Sequence, residues 1–159
     1  MVILNLVTGH EDADRVTVAF LVAVAAFEKG KQVTMFLTKE AVRIGLPGYA
    51  DAIETAGAPP VSRLFAQFAE QGGELLVCPI CFEARKLDAD ALVDNARLGG
   101  ATPLWELIGD EPATVFSYLR RRGGGQALPA VCGVARADAG ARGCRTPTSL
   151  RRSGRRAAG

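Results

Sequence analysis

The chain has 159 residues, 48% of them hydrophobic, which is enough for one globular domain with a core of its own. No apolar run reaches the roughly 20 residues of a membrane helix, so no membrane partner is expected. Met1-Val2-Ile3-Leu4 lacks the basic region and cleavage site of a secretory signal, so the expected location is cytoplasmic, where thiols stay reduced.

The formal net charge of +2 conceals two regions. Residues 1–118 carry 9 Lys and Arg against 16 Asp and Glu, a net charge of −7. Residues 119–159 carry 10 Arg against one acid, Asp138, a net charge of +9. The overall charge therefore describes neither part.

Val2 to Val7 is apolar except for Asn5 and reads as a buried strand. Thr8-Gly9-His10-Glu11 has the spacing of a capping box, so a helix is expected from there to about Phe27, with Gly30 as its stop. The body of that helix, Val16 to Phe27, is apolar nearly all round, which predicts burial within the domain or against another subunit. Gln32 to Thr38 is a second strand. Lys39 to Ile44 suits a short helix, and Gly57-Ala58-Pro59-Pro60 marks a loop. Ser62 can cap a helix that buries Leu64, Phe65 and Phe68 and ends at Gly72-Gly73. Glu74 to Cys78 forms a third strand that turns into a helical segment. Asp88 to Asn95 suits a further helical turn or two, and Ala96 to Gly100 a short fourth strand. Thr102-Pro103 is a helix start with Thr as cap. Ala113 to Tyr118 is a last strand. Strands alternating with helices predict an α/β layer structure with a largely parallel sheet.

After Leu119 the periodicity stops. Gly, Ala and Arg dominate, and five large aliphatics remain in 41 residues. Too little apolar area is available to offset the entropy of ordering, so disorder is expected. The basic charge alone would suit nucleic acid or an acidic surface. Without interleaved aromatics or a motif, nucleic acid is not the expected partner. The texture resembles out-of-frame translation of a G+C-rich gene, and resequencing around the codon for Leu119 tests that.

Chemistry concentrates in Leu76-Val77-Cys78-Pro79-Ile80-Cys81. The sequence places Cys78 where a strand becomes a helix. Unpaired N–H groups at a helix start stabilise negative charge, so a thiol there is expected to ionise more readily. The Cys-x-x-Cys pair allows three functional readings: a nucleophile carrying persulfide sulfur, a dithiol–disulfide couple, or, with His10, part of a metal site. The last is the weakest, since only three soft ligands are in sight, and no metal or other cofactor is expected. The two cysteines could also simply pack in the core. In a parallel sheet Thr8, Gly9 and His10 emerge on the same edge as Cys78, where His10 could shuttle a proton or contact an anion. Arg85, about two helical turns after Cys78, could favour the thiolate or remain a solvated surface cation.

Asn5-Leu6-Val7-Thr8-Gly9, the helix Val16–Phe27 with Glu28-Lys29-Gly30, Val33 to Leu37, the Leu76-Val77-Cys78 turn with Arg85 beyond it, and Ala96 to Ala101 occur in an order that resembles the DsrE/DsrF-like sulfur-relay family. The likeness covers residues 1–118. It implies a three-layer α/β/α fold around a parallel sheet of about five strands. It also implies assembly into trimers, hexamers or hetero-oligomers, and a cysteine at the end of the central strand that receives sulfur from a donor protein and passes it to an acceptor. Cys78 matches that position. Cys81 lies outside the family's relay pattern and leaves room for an intramolecular disulfide. The domain is then 1–118, followed by the tail.

Overall fold

The computed structural model describes residues 1–119; the expectations for the rest of the tail fall outside the described residues. Five strands, β1 Val2–Leu6, β2 Val33–Leu37, β3 Glu74–Val77, β4 Ala96–Leu98 and β5 Thr114–Tyr118, form one sheet in the order β4-β3-β2-β1-β5. Every pairing is parallel. The first three crossovers step one place each in the same direction, and the fourth returns the chain across the sheet to place β5 beside β1. All strand carboxyl ends therefore share one edge.

Strand periodicity divides the side chains between two faces. Val2, Leu4 and Leu6, with Val33, Met35, Leu37, Leu75 and Val77, meet helix α1, Ala13–Glu28, and helix α2, Val61–Glu70. From α1 come Val16, Ala19, Phe20 and Ala23, and from α2 come Val61, Leu64 and Phe68. On the opposite face Ile3, Thr34 and Leu76 are also buried. Helix α4, Ala101–Ile108, covers part of that face: a Cβ at Gly99 would lie 2.3 Å from Leu76 and 3.3 Å from Pro103. The result is the three-layer α/β/α arrangement with a parallel sheet of five strands.

Several local expectations change in detail. Glu11 does not close a capping box with Thr8; its carboxylate accepts from the Gly9 N–H at 2.9 Å within a 3-10 turn, His10–Asp12. Asp12 caps α1 instead, accepting from the Arg15 N–H at 3.2 Å. Pro60 rather than Ser62 precedes α2, and Gly100 rather than Thr102 precedes α4. The 39–45 segment is 3-10 throughout, and only Ala89–Ala91 winds within 88–95. The helix α1 buries one face and leaves Val18 and Leu21 in solvent.

Phe68 is the keystone between the two main helices. It is fully buried, meets Phe20 edge-on with ring centroids 5.7 Å apart and Phe27 at 5.9 Å, and lies against Gly73, where a Cβ would be 2.5 Å from the ring. Removing the ring leaves a cavity that rigid strands cannot collapse into. Phe68→Ala is expected to lower stability by about 3–5 kcal/mol, read as an earlier denaturant midpoint with little change in slope. A midpoint shift worth under about 1 kcal/mol would show that the α1–α2 layer does not depend on this ring.

Candidate functional site

Cys78 stands at the junction between β3 and helix α3, Pro79–Glu83. The local reason is Pro79. A proline ring disfavours helical geometry in the residue before it and fixes its own φ near the helical value. Cys78 is accordingly extended, with φ −63° and ψ 115°, and Pro79 is the first helical residue. Backbone hydrogen bonds hold Cys78 from both directions. Its N–H donates to the Leu37 carbonyl at 2.9 Å, one more rung toward β2, and its carbonyl accepts from Phe82 at 3.0 Å, the first bond of the helix. On the β4 side Gly99 N–H donates to the Val77 carbonyl at 2.9 Å. The sulfur is thus carried by a rigid frame. Both Cys78 and Cys81 are free thiols, partly buried against the core yet open to solvent.

The strand that delivers Cys78 is flanked on both sides, but it is not the middle one. That place belongs to β2. One intervening strand also separates β1 from β3, so the exits of those two strands lie about 10 Å apart. Thr8, Gly9 and His10 share the edge with Cys78 as expected, without touching it through any hydrogen bond among the described residues.

Gly9 and His10 are occupied otherwise, and Thr8 is buried. His10 stacks on Tyr49 with centroids 3.8 Å apart and planes 12° from parallel. Its Nε2–H donates to the Tyr49 carbonyl at 2.7 Å, and its backbone N–H donates to the Tyr49 hydroxyl at 3.2 Å. That tautomer leaves Nδ1 as an acceptor. Gly9 admits the same hydroxyl: a Cβ there would lie 2.4 Å from it. Thr8 is 1% exposed, and its Oγ1 has no partner among the described residues. Burial pushes the Tyr49 phenol upward, partly offset by the His10 backbone N–H. Tyr49 is a site residue that pattern reading misses, because it lies in an irregular stretch without periodicity.

Arg85 lies beyond α3, whose last residue is Glu83. Its guanidinium pairs with Glu40 through Nη2 at 2.6 Å and Nε at 2.9 Å, and its Nη1 donates to the Cys81 carbonyl at 2.9 Å. Glu40 also receives Arg43 Nε at 3.1 Å. These two arginines, Arg85 foremost, hold the Glu40 carboxyl below its ordinary value despite some desolvation. The ion pair ties the end of α3 to the loop leaving β2. It is partly exposed, and such pairs contribute modestly.

The expectation of a readily ionised Cys78 is overturned. Burial pushes the Cys78 thiol up, and the neighbouring Cys81 adds to this through its thiol and its charge. The N–H groups of Cys81 and Ile80 act in the opposite direction and are outweighed. The physical reason is the shortness of α3: five residues align few peptide dipoles, and burial costs a thiolate more than they return. The pKa of Arg85 is raised chiefly by Glu40 and, more weakly, by the charge of Cys81. Arg85 thus faces the second cysteine.

Among the described residues no group of three or more His, Cys, Asp or Glu side chains is arranged to hold a metal ion. No helix of the described residues is long and apolar enough to cross a membrane. A shallow groove of about 360 Å³ lies at the opposite edge of the sheet, between Gly73, Glu74, Asn95 and Arg97. Glu74 and Arg97 pair there at 2.6 Å. The groove is remote in the topology from the cysteine-bearing edge.

Because burial favours the neutral thiol, alkylation of Cys78 is expected to accelerate steadily up to pH 9 and beyond, past the usual cysteine midpoint of about 8.5. Peptide-resolved labelling rates between pH 6 and pH 10 measure this. A plateau already reached by about pH 7 would mean that the helix start dominates after all.

A search of curated proteins found no match to the chain. Among solved structures, the crystal structure of the YchN protein from E. coli is similar, with 18% identity and a TM-score of 0.57 over 72% of this chain and 97% of that one. At that identity the likeness is one of fold. The family model described as DsrE/DsrF-like matches residues 1–116, most of the chain and every element from β1 into β5. The parallel sheet and this match agree, and the chain belongs to the DsrE/DsrF-like family.

Proposed function

We propose that the protein is a sulfur carrier in which Cys78 accepts a sulfur atom as a persulfide and yields it to an acceptor thiol. The observation that carries this reading is the placement of Cys78: a partly exposed sulfur on a rigid strand-to-helix junction, at the carboxyl edge of the sheet. The family is generally associated with sulfur relay, which supports the same chemistry at a coarser level.

The step begins with the Cys78 thiolate attacking the outer sulfur of a donor persulfide. The donor leaves as its own thiolate, and Cys78 becomes the persulfide. An acceptor thiolate then takes the outer sulfur, and Cys78 leaves as thiolate. Transfer between thiols depends on the thiolate fraction of the attacking group. A thiol held neutral by burial keeps that fraction small at neutral pH, so loading should rise with pH. His10, with its ring fixed on Tyr49, and Arg85, committed to Glu40, support the edge rather than activate the sulfur directly.

The chain is expected to act as a homo-oligomer, a trimer or hexamer, with donor and acceptor proteins in a cytoplasmic setting. Apolar surface on α1, α4 and β5 is consistent with self-association: Val18, Trp105, Val115 and Phe116 are all exposed. A second reading, a dithiol–disulfide redox protein, is favoured by the two free, partly exposed thiols within one turn of the chain. Full packing of both cysteines as a non-catalytic module fits less well with their partial exposure.

Incubation with a persulfide donor followed by mass spectrometry tests the carrier reading. Wild-type chain should gain sulfur at Cys78, and Cys78→Ser should lose about 90% or more of that loading. Equal loading of Cys78→Ser would assign the chemistry to another residue. Reversible loss of both alkylatable thiols without any sulfur adduct would favour the redox reading.

A further inference from the structure

The family relay needs one cysteine, and this chain holds a second one in the first turn of the same helix. Cys78 precedes α3 and Cys81 is its third residue. A Cys-x-x-Cys pair that spans a helix start is the arrangement in which dithiol proteins close a disulfide. Both thiols are free and partly exposed. Beyond the effect of burial, the pKa of Cys78 is sensitive to the neighbouring Cys81 thiol, which raises it. Behind Cys81, the Arg85 guanidinium is anchored to the Cys81 carbonyl at 2.9 Å and to Glu40 at 2.6 Å. The charge of Cys81 is felt at that guanidinium.

Resting on the carrier reading, we infer that Cys81 is a resolving thiol that reduces the sulfur carried on Cys78 and releases it as sulfide. The Cys78 persulfide and the Cys81 thiol exchange a proton, leaving a Cys81 thiolate and a protonated outer sulfur. The Cys81 thiolate attacks the inner sulfur, the Sγ of Cys78. A bond forms between the two Sγ atoms, the bond to the outer sulfur breaks, and its electron pair leaves with the outer sulfur as hydrosulfide. The two cysteines are oxidised to a disulfide, and the outer sulfur is reduced to sulfide. Charge and protons balance without an external oxidant. An external dithiol resets the disulfide. Arg85 is a positioning residue that steadies the developing Cys81 thiolate. An acceptor thiol competes with Cys81 for the same persulfide, so the second cysteine sets whether sulfur is passed on or discharged.

The test is a single turnover with full-length chain, fully reduced and loaded with glutathione persulfide, then rapidly desalted. Mass spectrometry follows the Cys78 adduct and the Cys78–Cys81 disulfide, and a sulfide electrode follows release. Wild type should convert its adduct to the disulfide with sulfide equimolar to the adduct lost. In Cys81→Ser the adduct should form and then decay about tenfold or more slowly, without a disulfide. Cys81→Ala should behave in the same way, and covers the case in which the serine variant does not fold. An adduct equally long-lived in wild type and in either folded variant overturns the resolving role while leaving the carrier reading intact. Absence of any Cys78 adduct in wild type and both variants, with no disulfide or sulfide formed, overturns both. Sulfide release that persists unchanged in the Cys81 variants also overturns the resolving role.

Discussion

The structure depends on how one peptide segment passes from sheet to helix. Cys78 donates its N–H to β2, offers its carbonyl to Phe82, and follows Val77, whose carbonyl is taken by Gly99 beyond β4. Pro79 makes the two halves compatible, because the geometry it forbids before itself and the geometry it imposes on itself are those of strand and helix. The thiol inherits its position from these main-chain bonds and not from side-chain contacts. Such a frame lets neighbouring side chains vary without moving the sulfur, which suits a group that must be offered repeatedly to other molecules.

Charge at this edge is arranged around the loop after β2, not around the first cysteine. Glu40 draws Arg43 and Arg85 to itself. The arginine that sequence spacing set behind Cys78 is therefore spent on a carboxylate and on the carbonyl of Cys81. Burial then governs Cys78, and the short helix cannot reverse it. The balance raises the Cys78 thiol above its ordinary value, while Arg85 is held at the carbonyl of the second cysteine.

The two faces of the sheet are finished unequally. Helices α1 and α2 seal one face with a continuous apolar core. The other carries α4, which buries none of its residues fully and leaves Trp105 70% exposed, and on that same face Val115 of the edge strand β5, in register with Ile3, is exposed. Val18 and Leu21 add further exposed apolar surface on α1.

Much of this was legible from residues alone. The alternation of apolar runs and helical stretches determined the α/β class, the strand count and the position of Cys78 at a strand exit, because burial patterns repeat with the local period of the chain. Helix starts were less legible: Asp12, Pro60 and Gly100 precede the helices where Thr8, Ser62 and Thr102 had the more usual cap chemistry, since a cap forms only where the arriving backbone permits it. The ionisation of Cys78 and the partners of Arg85 and His10 belonged to tertiary structure. Glu40 and Tyr49 reach them across 45 and 39 positions of chain, and whether burial outweighs a helix start depends on what packs against the sulfur. Periodicity is a property of neighbours along the chain; electrostatic partnership is a property of neighbours in space.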